Sequence, residues 1–209
     1  HWRDDQRVFS AAVASIVALA IQRCDRHRSE ERTATAAADL ARQQAVIDRL
    51  MREDRGQPDS SNNRLRSMAR ALVEDAGFDR AAIHIIDSAN GATSFSESFG
   101  GVDGFAPFSI SSAGSEPCPV MAALRGGTIA ATDVSVDPRL AEMNASYFGP
   151  NGICAAILSP IVVKGAVSGF VSCERDAPLS SWNTARLLFA SSVSGIAASI
   201  VEQIGRAHV

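Results

Sequence analysis

ICAAILSPIVVKGAVSGFVSCE, residues 153–174, carries two apolar runs on either side of Lys164 and Gly165. Ile153–Val163 is a long apolar strand interrupted only by Pro160, and Val167–Glu174 is its partner. Runs of this kind joined by a short glycine-containing turn read as a β-hairpin, so the fold is expected to contain an antiparallel sheet. A turn centred on Lys164 and Gly165 places Cys154 and Cys173 on one face of the hairpin, which leaves a redox pair open.

Working outward, Asp133–Pro150 reads as a turn followed by a short helix from Pro138. Thr128–Thr132 is a short strand, and Pro117–Arg125 a short helix stopped by Gly126 and Gly127. Phe108–Ser112 is a short strand after a Gly-rich loop. Ala81–Asp87 and Ala92–Phe99 are strands joined by an Asn-Gly turn at Ser88–Gly91. Ser60 or Ser61 caps a helix whose apolar positions are Leu65, Met68, Leu72 and Val73, and Gly77 ends it. Beyond the hairpin, Trp182 starts a closing helix. Hairpin-paired strands with helices gathered on one side give an α+β fold, an antiparallel sheet with helices on one face, preceded by a long N-terminal helix.

That closing helix has an echo. Trp2 laid over Trp182, an offset of 180, puts Phe9 on Phe189, Val13 on Val193, Ile16 on Ile196 and Ile21 on Val201. The shared apolar positions follow i, i+4, i+7, one stripe of an α-helix. Two similar domains in tandem would account for the echo, with residues 1–55 the closing helix of the first plus a helical linker and residues 59–205 the second. The linker is charged, with Leu40 and Ile47 seven apart and Ala37, Gln44 and Met51 likewise, a weak coiled-coil seam. A dimer through the terminal helices is therefore expected, with Phe9, Val13, Ile16, Phe189, Val193, Ile196 and Ile200 at its interface.

A net charge of -3 argues against a nucleic-acid partner. Val8–Ile21 is apolar but shorter than the roughly 20 residues a membrane span needs, and is bracketed by charges, so it reads as a buried helix rather than an inserted one. Cys24, Cys118, Cys154 and Cys173 form no C-x-x-C motif, which leaves no metal site and suits a reducing cytoplasm. With no Met at position 1 and no signal-peptide layout, the chain is expected to be part of a longer cytoplasmic protein.

Four features carry a family resemblance: RAAIHIID with its Asn-Gly hairpin, ALRGGTIAATDVSVDPRL, the 153–174 hairpin, and the closing helix with Trp182 seven residues before Phe189. Together, from about Arg64 to Glu202, they resemble a GAF domain, the small-molecule sensor module of signalling proteins. The resemblance implies a sensor and not an enzyme. It implies a pocket on the sheet face away from the first and last helices, roofed by intervening loops and short helices. Carried onto this chain, that pocket is lined by Phe108, Ile110 and Val120, with Asp133, Arg139, Asn144, Tyr147 and Ser159 as its polar groups. Against these stand plainer roles: Asp133 capping a turn, Tyr147 in a core, Arg139 in solvent.

The ligand stays unknown. Asn144 is followed by Ala145 and Phe148 lacks a following Asp-Glu pair, unlike cyclic-nucleotide-binding members; no Cys-His pair marks bilin attachment. His84 alternates with Ile83 and Ile85 and is expected to face solvent or a helix, which disfavours haem, so no cofactor is expected. Some proteins of this fold reduce free methionine sulfoxide with a cysteine. Cys118 lies near one such position, but GPNGICAA stands where that family's catalytic pattern belongs. The remaining alternatives are a dimerisation spacer without ligand and a cysteine-based redox sensor. The output domain is expected outside the chain: a histidine kinase of a two-component system, a cyclic-di-GMP enzyme or a transcription regulator.

Overall fold

The computed structural model describes residues 4–52, 61–86, 93–101 and 119–207. The expected strand Phe108–Ser112 and the Ser88–Gly91 turn lie outside the described residues. The chain divides into two compact units, His1–Ala41 and Arg42–Val209.

Helix α1 (Asp4–Arg52) makes up the first unit and runs on into the second. In the first unit Phe9, Val13 and Ile16 are exposed, at 71%, 42% and 67%, and Val17, Leu19 and Ile21 with them. The apolar run expected to be buried is therefore open along this helix. Its last turns belong to the second unit, where Val46 and Leu50 join the core. The compact unit thus begins before Asp59, inside what reads from sequence as linker.

The second unit continues with α2 (Ser61–Glu74), β1 (Arg80–Ile86), β2 (Thr93–Gly100), α3 (Pro119–Leu124), β3 (Ile129–Ala131), a 3-10 turn (Pro138–Leu140), α4 (Ala141–Met143), a π-turn (Asn144–Phe148), β4 (Ala155–Val163), β5 (Ala166–Arg175) and α5 (Thr184–Ala207). Among the described residues the strands form one five-stranded antiparallel sheet, in the order β2-β1-β5-β4-β3. Leu65, Met68, Ala69 and Leu72 place one stripe of α2 against it. Gly77 takes φ 68 to end that helix, its N–H donating to Val73 O at 3.1 Å.

The β4–β5 turn is built as expected: Lys164 and Gly165 both take positive φ, 51 and 80, and Val163 pairs with Ala166. Beyond it the register slips. Val162 faces Val167 but Ile161 faces Gly169, so Ser168 is an extra residue bulged out of β5. A one-residue slip moves every later side chain of one strand to the other face. Cys173 comes to lie opposite Ile157, in the core beneath the helices, whereas Cys154, just before β4, alternates with Ala155 and falls on the other side. The expectation that the two cysteines share a face is thereby overturned.

Two cores result. One lies between the sheet and helices α2 and α5, and contains Ile83, Ile157, Ile161, Val171 and Phe189. The other covers the opposite face, where Ile129, Ala156, Leu158 and Phe170 meet Val120, Leu124, Leu140, Met143, Tyr147 and Phe148 from the short helices. Gly169 lets the sheet close at its centre: the backbone oxygen of His84 stands where a Cβ would go, with Ile85 Cα 3.1 Å from it. Gly169→Ala is expected to lower stability by about 1–3 kcal/mol in urea unfolding, because β1 and β5 must part to admit the methyl group.

Residues expected at a dimer interface are redistributed by this packing. Phe189, Val193, Ile196 and Ile200 are 0–7% exposed inside the first core. A side chain that buried has no surface to offer a partner, so these four are core residues of their own domain. Thr184–Ile204 is long and apolar enough to span a membrane by length and composition, but the sheet takes up its apolar face.

Candidate functional site

The alternation of β1 and β5 decides what reaches the second face. Ala81, Ile83 and Ile85 point to the helices, so Arg80, Ala82 and His84 point away; Val171 and Cys173 point to the helices, so Phe170, Ser172 and Glu174 point away. Arg80 pairs across strands with Glu174, and His84 with Phe170. Three ionisable side chains are thus sunk on this face, all at or below 4% exposure.

The π-turn closes over Arg80 and Glu174. Gly149 N–H donates to Asn144 O at 2.8 Å, a five-residue closure that turns Tyr147 inward. The Tyr147 hydroxyl donates to Glu174, 3.1 Å from Oε1 and 3.3 Å from Oε2, and Ser172 Oγ donates to Oε1 at 2.6 Å. Arg80 Nε lies 3.8 Å from Glu174 Oε2, its Nη1 donates to Asn151 O at 3.0 Å, and its Nη2 is paired with Asp176. The network joins the roof, two central strands and the segment that leads to α5.

Burial sets the electrostatics. It raises the Glu174 carboxyl to about 7, against the opposing pull of Ser172, Tyr147 and Arg80 and with a push from Asp176. Burial likewise raises the Tyr147 hydroxyl well above its ordinary value, with Glu174 adding to the effect. The His84 imidazole is lowered to about 4, so it is neutral at physiological pH. Its Nδ1 is 2.9 Å from Ser96 Oγ, and its ring packs against that of Phe170, centroids 4.8 Å apart and planes tilted by 38°. His84 therefore does not face solvent: it is buried on the sheet face turned away from α2 and α5, beside Phe170.

Of the residues expected to line a pocket, Phe108 and Ile110 lie outside the described residues. Val120 and Tyr147 come together in the second core. Asp133 caps a turn, accepting from Ser135 N at 2.9 Å and Ser135 Oγ at 2.6 Å, which keep its carboxyl below the usual range. Arg139 is paired with Asp137 at 2.6 Å, its side chain half exposed. Asn144 opens the π-turn. Ser159 faces the helices: its strand neighbours on that face are Ile157 and Ile161, its Oγ is 3.3 Å from Thr128 Oγ, and Ser194 of α5 donates to its carbonyl. That placement is opposite to the one expected, because Ala156 and Leu158 take the roof side.

Arg80, Ser172 and Glu174 are absent from the residues expected at the site, and His84 is weighed there only as a haem ligand. The signal is the even spacing of the polar residues, Arg80 and His84 four apart in RAAIH and Ser172 and Glu174 two apart in SCE, which puts each pair on one face of a strand too apolar to be solvated on either side.

Cysteine chemistry gains little. Cys173 is fully buried and its thiol is pushed well up by burial, the reverse of an activated thiolate. Cys154 is partly exposed, and Cys118 lies outside the described residues.

The GAF domain family model matches residues 62–201. No curated protein sequence matches the chain. Among solved structures, the GAF domain of an Acinetobacter phosphoenolpyruvate-protein phosphotransferase is similar with a TM-score of 0.62 and 16% identity, covering 78% of this chain and 95% of that one. The free methionine-R-sulfoxide reductase of Neisseria meningitidis, in complex with its substrate, gives 0.61 and 16%, covering 83% and 93%. The blue-light-absorbing form of the Thermosynechococcus elongatus PixJ GAF domain gives 0.56 and 16%, covering 72% and 89%. At such identities the likeness is one of fold.

Proposed function

The chain belongs to the GAF domain family over residues 62–201, a family of sensory and regulatory modules of signalling proteins, and from that premise we propose that it is a regulatory sensor of a cytoplasmic signalling protein, binding a small molecule beneath its roof. The observation that carries this reading is the buried polar network of Arg80, Tyr147, Ser172 and Glu174 on the sheet face turned away from α2 and α5. Polar groups are costly to bury unless they are satisfied, and a recognition site is one reason to keep them there.

The route out of the site runs through Arg80. It joins Asn151 of the roof to Asp176, at the start of the connection to α5. That connection is tied to the sheet edge by Leu179 N–H on Thr132 O at 3.2 Å and Trp182 Nε1 on Ala131 O at 3.0 Å. A ligand that holds the roof differently in two states biases α5 by its difference in affinity for them, and by no more. The output domain belongs outside this chain, in the classes named above.

Native and denatured mass spectra of the purified protein, with an absorbance scan, test the binding. A bound species lost on denaturation supports a loaded sensor; an empty spectrum in a dimeric protein favours the spacer. The cysteine reading receives no support from Cys173, and thioredoxin-dependent reduction of methionine sulfoxide is expected to be absent.

Dimerisation is assigned to α1 alone. Phe9, Val13 and Ile16 form an exposed apolar stripe on a helix that has little else to stabilise it in water. A two-fold pair of α1 helices would bury that stripe. Ile16→Asp is expected to weaken a dimer at least tenfold in sedimentation while leaving the melting midpoint of the sensor domain unchanged. A monomer in the unsubstituted protein would overturn the pairing and leave the stripe to a sheet like the one α5 covers.

A further inference from the structure

Glu174 and Asp176 share one cation. Arg80 pairs with Asp176 and lies 3.8 Å from Glu174, so with both carboxylates ionised the cluster holds one surplus negative charge. Asp176 has a side chain 57% exposed and is solvated; Glu174, with a side chain 1% exposed, is not. The groups that face Glu174 are Ser172 on its own strand, Arg80 on β1, Tyr147 from the roof and Asp176 beyond β5. His84, two places along β1 from Arg80, is neutral, and Cys173 points to the opposite core. Of these groups Tyr147 is the contact the roof makes, and it comes from a π-turn, a conformation rarely kept without cause.

We propose that Tyr147 and Glu174 form a proton-gated latch: a protonated Glu174 keeps the Asn144–Phe148 turn fastened on the sheet, and an ionised Glu174 releases it toward solvent. The physical reason is that the closed roof denies water to the carboxylate, while an open one supplies it. The inference rests on the sensor reading for its use, since the roof is the part a ligand would have to pass. It makes an acid shift of the cytoplasm a condition for holding ligand, or for excluding it.

Burial outweighs the hydroxyls of Ser172 and Tyr147 and the charge of Arg80, each of which favours the ionised carboxyl. In the closed state the carboxyl sits at about 7; in an open state it returns toward 4.5. Opening is then favoured about tenfold per pH unit through that interval, and levels off above it.

Hydrogen exchange of the unliganded full chain tests this, after correction for intrinsic rates. The Gly149, Asn151 and Ile153 amides, bonded within the roof, are expected to exchange through a smaller opening than the central-strand amides of Ile157 and Val171. Their protection should fall about tenfold per unit between pH 5 and 7. In Glu174→Gln that slope should vanish. Equal protection in roof and sheet would overturn the latch, and so would an unchanged slope in Glu174→Gln. If that variant does not fold, Tyr147→Phe keeps Glu174 and removes the fastening. It should speed roof exchange at least tenfold at pH 5 with the sheet unaffected, and unchanged roof exchange overturns the proposal. No ligand enters these measurements, so the latch and the sensor reading can fail separately.

Discussion

Phe189→Ala is expected to cost the domain about 3–5 kcal/mol in denaturant unfolding, while Phe9→Ala, its counterpart 180 residues earlier, is expected to stay within about 0.5 kcal/mol. The two residues occupy the same place in the same apolar stripe, and differ only in what covers them. Phe189 is 1% exposed, in a core with Leu65, Met68, Leu72, Ile83 and Val171; Phe9 is 71% exposed. Truncating Phe189 removes the transfer energy of a phenyl ring and leaves a cavity that two helices and a sheet cannot fully collapse around. Phe189→Asp goes further and puts an unpaired carboxylate in that cavity. The stripe alone suggests a different result for it, a lost dimer around an intact pocket. Unfolding that tracks loss of the roof, without a folded monomer between, is the outcome the core predicts. A stable folded monomer of Phe189→Asp would show that α5 faces a partner instead of its own sheet.

The contrast shows where sequence pattern stops being informative. A stripe at i, i+4, i+7 establishes that a helix has an apolar side, and nothing in it distinguishes the chain's own sheet from another chain. The β4–β5 turn was legible because Lys164 and Gly165 must adopt positive φ and few residue pairs do so cheaply. The bulge at Ser168 was not, since one extra residue leaves no mark beyond the neighbouring Gly169. Yet that residue decides which side chains of β5 face the roof and which the helices, and so separates Cys154 from Cys173. The site was half visible. Tyr147 was found because the family passage leads to it. Arg80 and Glu174 were hidden in strands read for their apolar content, where a charged residue passes for a strand end. Only the sheet brings residues 94 apart in sequence opposite one another.

Arg80→Met should be the most pH-sensitive substitution in the molecule. It removes the cation from a cluster in which Glu174 has a side chain 1% exposed, and removal of one partner from a buried pair costs about 3–5 kcal/mol when the remaining charge is uncompensated. The charge-related part of that cost is expected to emerge above pH 7, where Glu174 is ionised in the unsubstituted protein, and to grow by about 1.4 kcal/mol per pH unit, because in the variant the carboxyl can take up a proton instead of staying charged. Near pH 5 it should shrink, because the carboxyl is neutral there and what is lost is packing, the bond to Asn151 O and the pair with the solvated Asp176. Burial raises the folded-state value of Glu174 to about 7 from 4.5, so the folded chain binds this proton more tightly than the unfolded one. The stability it contributes is complete below 4.5 and is lost as pH rises through about 7. Arg80 opposes that rise; without it the folded value climbs further, and the window of declining stability extends upward. Glu174→Gln in the Arg80→Met background removes the stranded charge and should restore most of the stability at pH 8 while changing little at pH 5. A loss of equal size at both pH values, with no recovery in the double variant, would mean that Arg80 supports the fold through its stem and its carbonyl contact, and that the charge of Glu174 is balanced elsewhere.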